Sequence, residues 1–457
     1  MLKHHCFLFI LFALFISANP AYGAKHQAIL PSESVDAHYH LMWDKANDTL
    51  QVALCYRGLA AITLTNHSTK QSAYTRSFIQ AGTTLNIHGS QVTTHGKASP
   101  NECVYYEVDV STTSDWRNTL KSHGAIVLNT KRWFWFDPAF RHAEFTITDK
   151  TGERIQAFLP FKKVGMHYQI SETGLEWDSR TLLGEIKTET LHLHNTSLDV
   201  AIAGSATSRS NDWLSWLNVT AQAIESVYGR FPQTNVKVLI IPIGKRSGPT
   251  PWGEVQRGGY PSVHFFIDQT RPLEEFIADW TGSHELSHLF LPKLIPGARW
   301  MSEGIASYYQ YVARARTGLI TPHTAWRKLT QGFERGRRDF NQRALIRANK
   351  TMHVYWGGAA YFLLADIALR KQGSSLDKVL EAFSRCCLPS FERWSPQRVA
   401  KQLDTLSNTT VFTQLLKKEA SLRQFPLSKP HEAALNLNQK ERLDAIFTTG
   451  KVALTKG

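Results

Sequence analysis

The chain reads as a multidomain protein of two classes in series. An N-terminal all-β, sandwich-like unit is followed by an α+β unit whose C-terminal part is helical. Three observations predict this. Between residues 35 and 203, short runs such as AITLTN, CVYYEVDV, EFTITD, RIQAFLPF and LDVAIAG recur, several alternating apolar with polar residues. That period of two belongs to half-buried strands, and turn signals such as DKTGE separate them. After residue 212 the apolar spacing becomes helical, with two buried-strand runs, VKVLIIPI and PSVHFFID, set among the helices. From residue 300 onward the pattern is almost wholly helical. At 457 residues each unit is long enough to bury its own core.

The first 24 residues stand apart as a signal peptide. Lys3 precedes the apolar run FLFILFALFISA, which is too short to span a bilayer comfortably, and the small residues of NPAYGA follow it. The mature chain is therefore expected to be exported, either periplasmic or secreted. No later stretch is long and apolar enough for a transmembrane helix. Export leaves Cys55, Cys103, Cys386 and Cys387 in an oxidising compartment. Cys55 and Cys103 sit in strand-like runs and can pair. Adjacent Cys386 and Cys387 can bridge each other, pair elsewhere or stay free. None has the spacing of a thiolate zinc site.

AGSATSRSND, residues 203–212, reads as a linker, and DWLSWLNVTAQAIESVY as a helix ending at Gly229. TRPLEEFIADWTGSHELSHLF is expected to form one helix, with Pro272 in its first turn and Glu274 and Glu275 at its positive end. Pro292, Pro296 and Gly297 break it before RWMSEGIASYYQYVARA starts another. The formal charge of +14 favours acidic surfaces or ligands. The densest basic stretch, residues 327–350, reads first as a solvated helical face. No nucleic-acid motif accompanies it.

SHELSHLF carries the chemistry. His284 and His288 are four apart on a helix, so both imidazoles leave the same face and can share one tetrahedral zinc. Glu285 points slightly around the helix, where it can act as a base instead of a ligand. A catalytic zinc needs a third protein ligand and an open position. Glu303, fifteen residues beyond His288 and one turn into the next helix, can fold back to supply it. Ligating histidines also need an acceptor for the second ring nitrogen, for which Asp279, Ser307 and Asp366 are candidates. His38 with His40, and His192 with His194, lack an acid at useful spacing and read as structural.

HELSH followed by WMSEG resembles the gluzincin zinc metallopeptidases, and the order of units is similar to aminopeptidase N-type and glycyl aminopeptidase-type enzymes. VYWGGAAYFLLADIALR, residues 354–370, resembles that family's Tyr-x-Lys-Gly-Ala segment, with Gly357 where lysine is usual. The resemblance implies a thermolysin-like α+β zinc peptidase domain holding one Zn2+ per chain. It implies metal ligands His284, His288 and Glu303, Glu285 as general base, and Tyr355 as oxyanion donor. The expected units are 25–205 for the β-rich domain, 206–345 for the catalytic domain, and 346–457 for a helical part completing the cleft. The stretch RGGYPSVHFF stands where these enzymes carry the glutamate that holds a substrate's amine. Gly258, Gly259 and Tyr260 are thus the expected substrate contacts, and the missing glutamate leaves aminopeptidase and endopeptidase both open.

The function implied is hydrolysis of a peptide or protein substrate by an exported zinc metallopeptidase. The competing reading is a catalytically inactive, zinc-containing envelope binding protein that contacts anionic ligands or the anionic envelope surface through its basic stretch. Retention of Glu285 argues against it, because a structural zinc site has no use for a base. The sequence does not fix the oligomeric state.

Overall fold

The computed structural model describes residues 35–57, 61–95, 103–112, 118–170, 179–204, 209–257, 260–427 and 445–448. The expected signal peptide and the middle of the expected linker lie outside these residues.

Among the described residues, three large sheets, a two-stranded one (Thr63–Thr65 with Gln91–Thr93) and a helical layer build the molecule. The first sheet has eight strands, in the order Lys162–Val164, His167–Gln169, His142–Asp149, Ala37–Asp44, Thr49–Tyr56, Cys103–Asp109, Thr75–Gln80, Thr83–Leu85. Its pairs are antiparallel except Ala37–Asp44 with His142–Asp149. Cys55 lies directly opposite Cys103 in this sheet, and the two form a disulfide. The second sheet, of four strands, runs Gln156–Phe158, Arg180–Gly184, Ala125–Asn129, Thr119–Ser122. Its central strand AIVLN is buried throughout because each face meets a different partner. Ile126 and Leu128 enter the core shared with the eight-stranded sheet, around Tyr39, Trp133 and Trp135. Ala125 and Val127 meet Leu239, Ile241 and Phe266 of the third sheet.

Elements are numbered from Ile186 onward. The third sheet has the order β1 (Ile186–His192), β2 (Ser197–Ala203), β3 (Val236–Pro242), β5 (Ser262–Ile267), β4 (Trp252–Gln256). β2, β3 and β5 run parallel, whereas β1 and β4 are antiparallel edges. This sheet spans the boundary expected at residue 205, since β1 and β2 precede it. Strands buried on both faces read as continuous apolar runs, and VKVLIIP of β3 is one. Its Val236, Val238 and Ile240 face the helical core.

That core holds α1 (Ser210–Glu225), α2 (Leu273–Ala278), α3 (Thr281–Ser287), α4 (Arg299–Arg316), α5 (Pro322–Arg338), α6 (Thr351–Arg370), α7 (Leu376–Cys387) and α8 (Pro396–Ser407). α4 and α6 cross closely. A Cβ on Gly358 would stand 2.0 Å from the Trp300 carbonyl oxygen, and one on Gly304 2.4 Å from the Gly358 carbonyl carbon. Two glycines at the crossing let the backbones touch, which fixes Glu303 against Tyr355. α5 buries Ala325, Leu329, Gly332, Phe333 and Gly336, so the basic stretch begins as a helix with one packed face. Cys386 and Cys387 bridge each other at the end of α7. Among the described residues no helix is long and apolar enough to cross a membrane.

The single helix expected from 272 is in fact two, broken at Asp279 and Trp280. Arg314 reaches across from α4 and donates to the carbonyls of Ile277, Ala278 and Asp279, taking over the acceptors at the end of α2. Asp279 then turns its carboxylate onto the Thr281 amide, 2.7 Å away, to start α3. The break turns Trp280 out of the core and into the cleft, where its ring meets the edge of His284.

Candidate active site

α3 is buried along its whole length, so its polar side chains persist only with partners. His284 leaves α3, and His288 the single 3₁₀ turn His288–Phe290 that continues it. The ring centroids are 4.9 Å apart. Nδ1 of His284 faces Gln310 Oε1 at 2.8 Å, and Nδ1 of His288 faces Ser302 Oγ at 3.1 Å. In the neutral tautomer that donates Nδ1–H to Gln310, His284 turns an Nε2 lone pair to the cleft; in the protonated ring Nε2–H donates to Glu303 instead. Both Nε2 atoms approach one oxygen of Glu303, Oε2, at 3.2 Å from His284 and 3.6 Å from His288. The three ligand atoms lie within 4.8 Å of one another, the one such group among the described residues.

Burial pushes the Glu303 carboxyl up, but the hydrogen bond and charge of the two histidines outweigh it and hold the group well below the carboxylate range. A carboxylate kept ionised between two imidazoles, with both Nδ1 atoms tied back, is the donor set of a catalytic zinc site. The residues present therefore fit the metal that the sequence predicts. Asp279, Ser307 and Asp366 do not serve as the orienting acceptors. Asp279 is committed to Thr281, Asp366 to Tyr308 and Leu376, and the Ser307 hydroxyl has no partner on either ring. Gln310 was findable: it stands seven residues after Glu303, on the same face of α4.

Glu285 is buried against β4. A Cβ on Gly253 would come within 2.4 Å of its Cγ, so only glycine fits opposite the carboxylate. Burial raises the Glu285 carboxyl to about 7, with His284 opposing and Glu303 reinforcing the rise. Its Oε2 lies 4.0 Å from His288 Nε2, beside the ligand atoms and outside their convergence. Tyr355, the fifth residue of α6, stacks flat on His284, with centroids 5.6 Å apart and 5° between planes. Arg299 Nη2 donates to its phenol oxygen at 3.3 Å, and Arg299 Nε reaches Glu303 Oε1 at 3.2 Å. Burial holds the phenol protonated, well above its ordinary range.

These groups line one cleft of about 710 Å³. Its strand wall is β4, an edge strand that hydrogen-bonds β5 on one side. Here the expectation changes. Of RGGYPSVHFF, Arg257 lines the cleft, whereas the part from Ser262 onward belongs to Ser262–Ile267, an interior strand between β3 and β4. Gly258 and Gly259 lie outside the described residues. Tyr260 does not line the cleft: its hydroxyl donates to Gln169 and its ring packs on Phe391. The cleft strand does carry a glutamate, Glu254. Its Oε1 is taken by Arg180 Nε at 2.7 Å and by His264 Nδ1 at 3.0 Å. Burial raises its pKa, Arg180 and His264 outweigh that, and the carboxyl settles at about 2.

No family model and no curated protein sequence matches the chain. Solved structures do. An aminopeptidase N family protein from Idiomarina loihiensis is 14% identical, with a TM-score of 0.63 over 85% of this chain and 76% of that one. An M1 zinc metallopeptidase from Deinococcus radiodurans, bound to a Tyr-Ser-Ala substrate, is 13% identical, with a TM-score of 0.50 over 87% of this chain and 97% of that one. The chain has the fold of the M1 zinc metallopeptidases. A Legionella pneumophila aminopeptidase A in complex with aspartic acid shares it at a TM-score of 0.50 and 10% identity, this chain covering 48% of its length. In this chain a β-rich part precedes the helical part, and another structure of this fold, a two-domain M1 zinc metallopeptidase, is 12% identical with a TM-score of 0.51.

Proposed function

We propose that the protein is an exported zinc metallopeptidase that hydrolyses peptide bonds. The observation that carries this reading is the convergence of two imidazole Nε2 atoms and one carboxylate oxygen within 4.8 Å, with a second, non-converging carboxylate beside them. A structural site would close its coordination with another Cys or His and would not bury a spare acid.

His284, His288 and Glu303 would hold a zinc ion, which would supply Lewis-acid chemistry toward water and a carbonyl near neutral pH. The chain's own groups do the rest. Glu285 takes the proton of the attacking water on a carboxylate oxygen and delivers it to the departing amine nitrogen. Tyr355 donates its hydroxyl to the oxyanion, held in place by the His284 ring and Arg299. The edge of β4 offers backbone groups to an extended peptide, and Gly253 leaves room for the Glu285 side chain to lie against that strand. The apolar run and small-residue site of the first 24 residues support export, to the periplasm or the medium.

The test is a peptide-library digest with and without a chelator, run beside Glu285→Gln. The expected result is chelator-sensitive cleavage, reduced roughly 10²–10⁴-fold in the variant while its zinc content stays at one per chain. Undiminished cleavage by Glu285→Gln would sink the mechanism, and zinc-loaded protein that cuts nothing would favour the inactive binding protein.

A further inference from the structure

The basic stretch does not end with α5. Residues 341–350 lead on into α6 through the 3₁₀ turn Leu345–Arg347. Leu345 anchors that turn: its side chain is buried, and its Cδ1 lies 2.8 Å from where a Cβ on Gly357 of α6 would stand. Asn341 donates to Asn349 at 3.0 Å and ties the ends of this segment together. A second segment, built on the π-helical turn Leu416–Ala420, comes alongside the first. Its Phe425 packs against Gly336 of α5, and Arg337 donates two bonds to the Leu427 carbonyl, at 3.2 and 2.9 Å. Buried anchors thus hold both segments in place.

The two segments share a concavity of about 720 Å³. Arg343 and Arg347 line it from the first segment and Arg423 from the second. All three arginines are exposed, and none of their side chains makes a hydrogen bond, ion pair or ring contact with a described residue. Among the described residues no acid lines the concavity. Asp339, the acid nearest the first segment in sequence, accepts the Met352 amide at 2.9 Å, and Glu419, in the second, has a partner of its own. Like charges gathered around one concavity repel one another, and an anion relieves that repulsion. The concavity has no lining residue in common with the catalytic cleft.

We propose that this concavity is a second binding site, which takes a phosphate group between Arg343, Arg347 and Arg423. Guanidinium groups stay charged at any working pH, and their planar forks of N–H donors match phosphate oxygens. A phosphate monoester offers three acceptor oxygens, one for each guanidinium, whereas a carboxylate offers two. The phosphate is either free in solution or borne by the headgroup of an anionic lipid, and the same arginine chemistry recognises both. The site stands apart from the peptidase reading, because no residue of the metal-ligand cleft takes part in it.

The test uses the full chain and three probes at low salt. These are inorganic phosphate, succinate as a carboxylate of similar charge, and phosphatidylcholine vesicles with or without phosphatidylglycerol. Calorimetry reads the small anions and cosedimentation the vesicles. One variant combines Arg343→Ala, Arg347→Ala and Arg423→Ala, and a second replaces the same three arginines by lysine. A control, Lys245→Ala with Lys371→Ala and Lys401→Ala, removes equal charge elsewhere, and all six side chains are exposed. The alanine variant should bind phosphate at least about tenfold more weakly than the wild type, with the lysine variant between them and the control unchanged. Any phosphate bound at the metal-ligand residues is common to all four proteins and drops out of the comparison. Binding of phosphate without the vesicles assigns a free ligand. Cosedimentation that needs both phosphatidylglycerol and the three arginines assigns a headgroup. The proposal is overturned if the alanine variant binds phosphate and vesicles as the wild type does, or if the control loses as much. Succinate bound as tightly as phosphate overturns it too.

Discussion

Two clusters of buried charge sit on the same helix, α4, and they are built on opposite rules. Near its C-terminal end, Arg316 donates two bonds to Asp377, at 3.2 and 3.0 Å, and Tyr309 a third at 2.8 Å. Arg370 stands 3.1 Å from Asp366 and 3.3 Å from Asp377, and Tyr308 caps Asp366 at 2.8 Å. Two acids meet two arginines, and the network closes on itself. At the N-terminal end, Glu303 meets two imidazoles whose Nδ1 atoms are already turned toward Gln310 and Ser302. There two Nε2 atoms and one Glu303 oxygen converge, Arg299 holds the other Glu303 oxygen, and Glu285 adds further acid, an arrangement suited to receiving a divalent cation. One helix thus carries a finished ionic core and an unfinished one, and the unfinished one marks the site.

The largest stability effect should come from breaking the finished cluster. Asp377→Asn leaves Arg316 buried without its counter-ion, a loss of about 3–5 kcal/mol by analogy with other broken buried pairs. Urea unfolding of the zinc-loaded protein would measure it, and a change near zero would show that the network is not self-contained as described.

Gly358→Ala probes what holds the two clusters in register. The added Cβ meets the Trp300 carbonyl at 2.0 Å, so α4 and α6 must separate. Overpacking of this kind costs about 1–3 kcal/mol. Activity should fall further than that loss of stability implies, because Glu303 and Tyr355 ride on the two helices. Wild-type turnover in a folded Gly358→Ala protein would contradict that coupling.

A smaller effect concerns Glu254, which ties the cleft strand to Arg180 of the four-stranded sheet. Its folded-state carboxyl titrates at about 2, below the ordinary 4.5. A depressed carboxyl stabilises the fold fully above about 4.5 and loses that contribution as pH falls from there toward about 2. Stability measured between pH 6 and 3 should therefore drop less steeply in Glu254→Gln than in the wild type. Parallel curves would show that the ion pair contributes nothing.

Much of this was legible in the sequence for a physical reason: the residues proposed as metal ligands obey local rules. The four-residue spacing of His284 and His288 fixes a shared helix face, and a break followed by a new helix places Glu303. The β-rich unit showed in its period of two. Other features depend on contacts between distant segments. Arg314 ends α2 from thirty-odd positions away in the chain, so nothing in TRPLEEFIADWTGSHELSHLF itself announces the break. The order of β3, β5 and β4 decides which strand lines the cleft, and strand order is not written in any one strand. For that reason the sequence points to Tyr260, whereas the cleft strand presents Glu254. Gln310 and Ser302 carry the spacing that would have found them, but amide and hydroxyl side chains are common on helices and give no separate signal.

Zinc binding by the wild type and by Glu303→Gln, measured by calorimetry and metal analysis on the purified full chain, tests the central claim most directly. The arrangement predicts one zinc per chain in the wild type and a markedly weaker or absent site in the variant, with the fold retained because the cluster around Asp377 is untouched. Equal zinc affinity in the two proteins would contradict it.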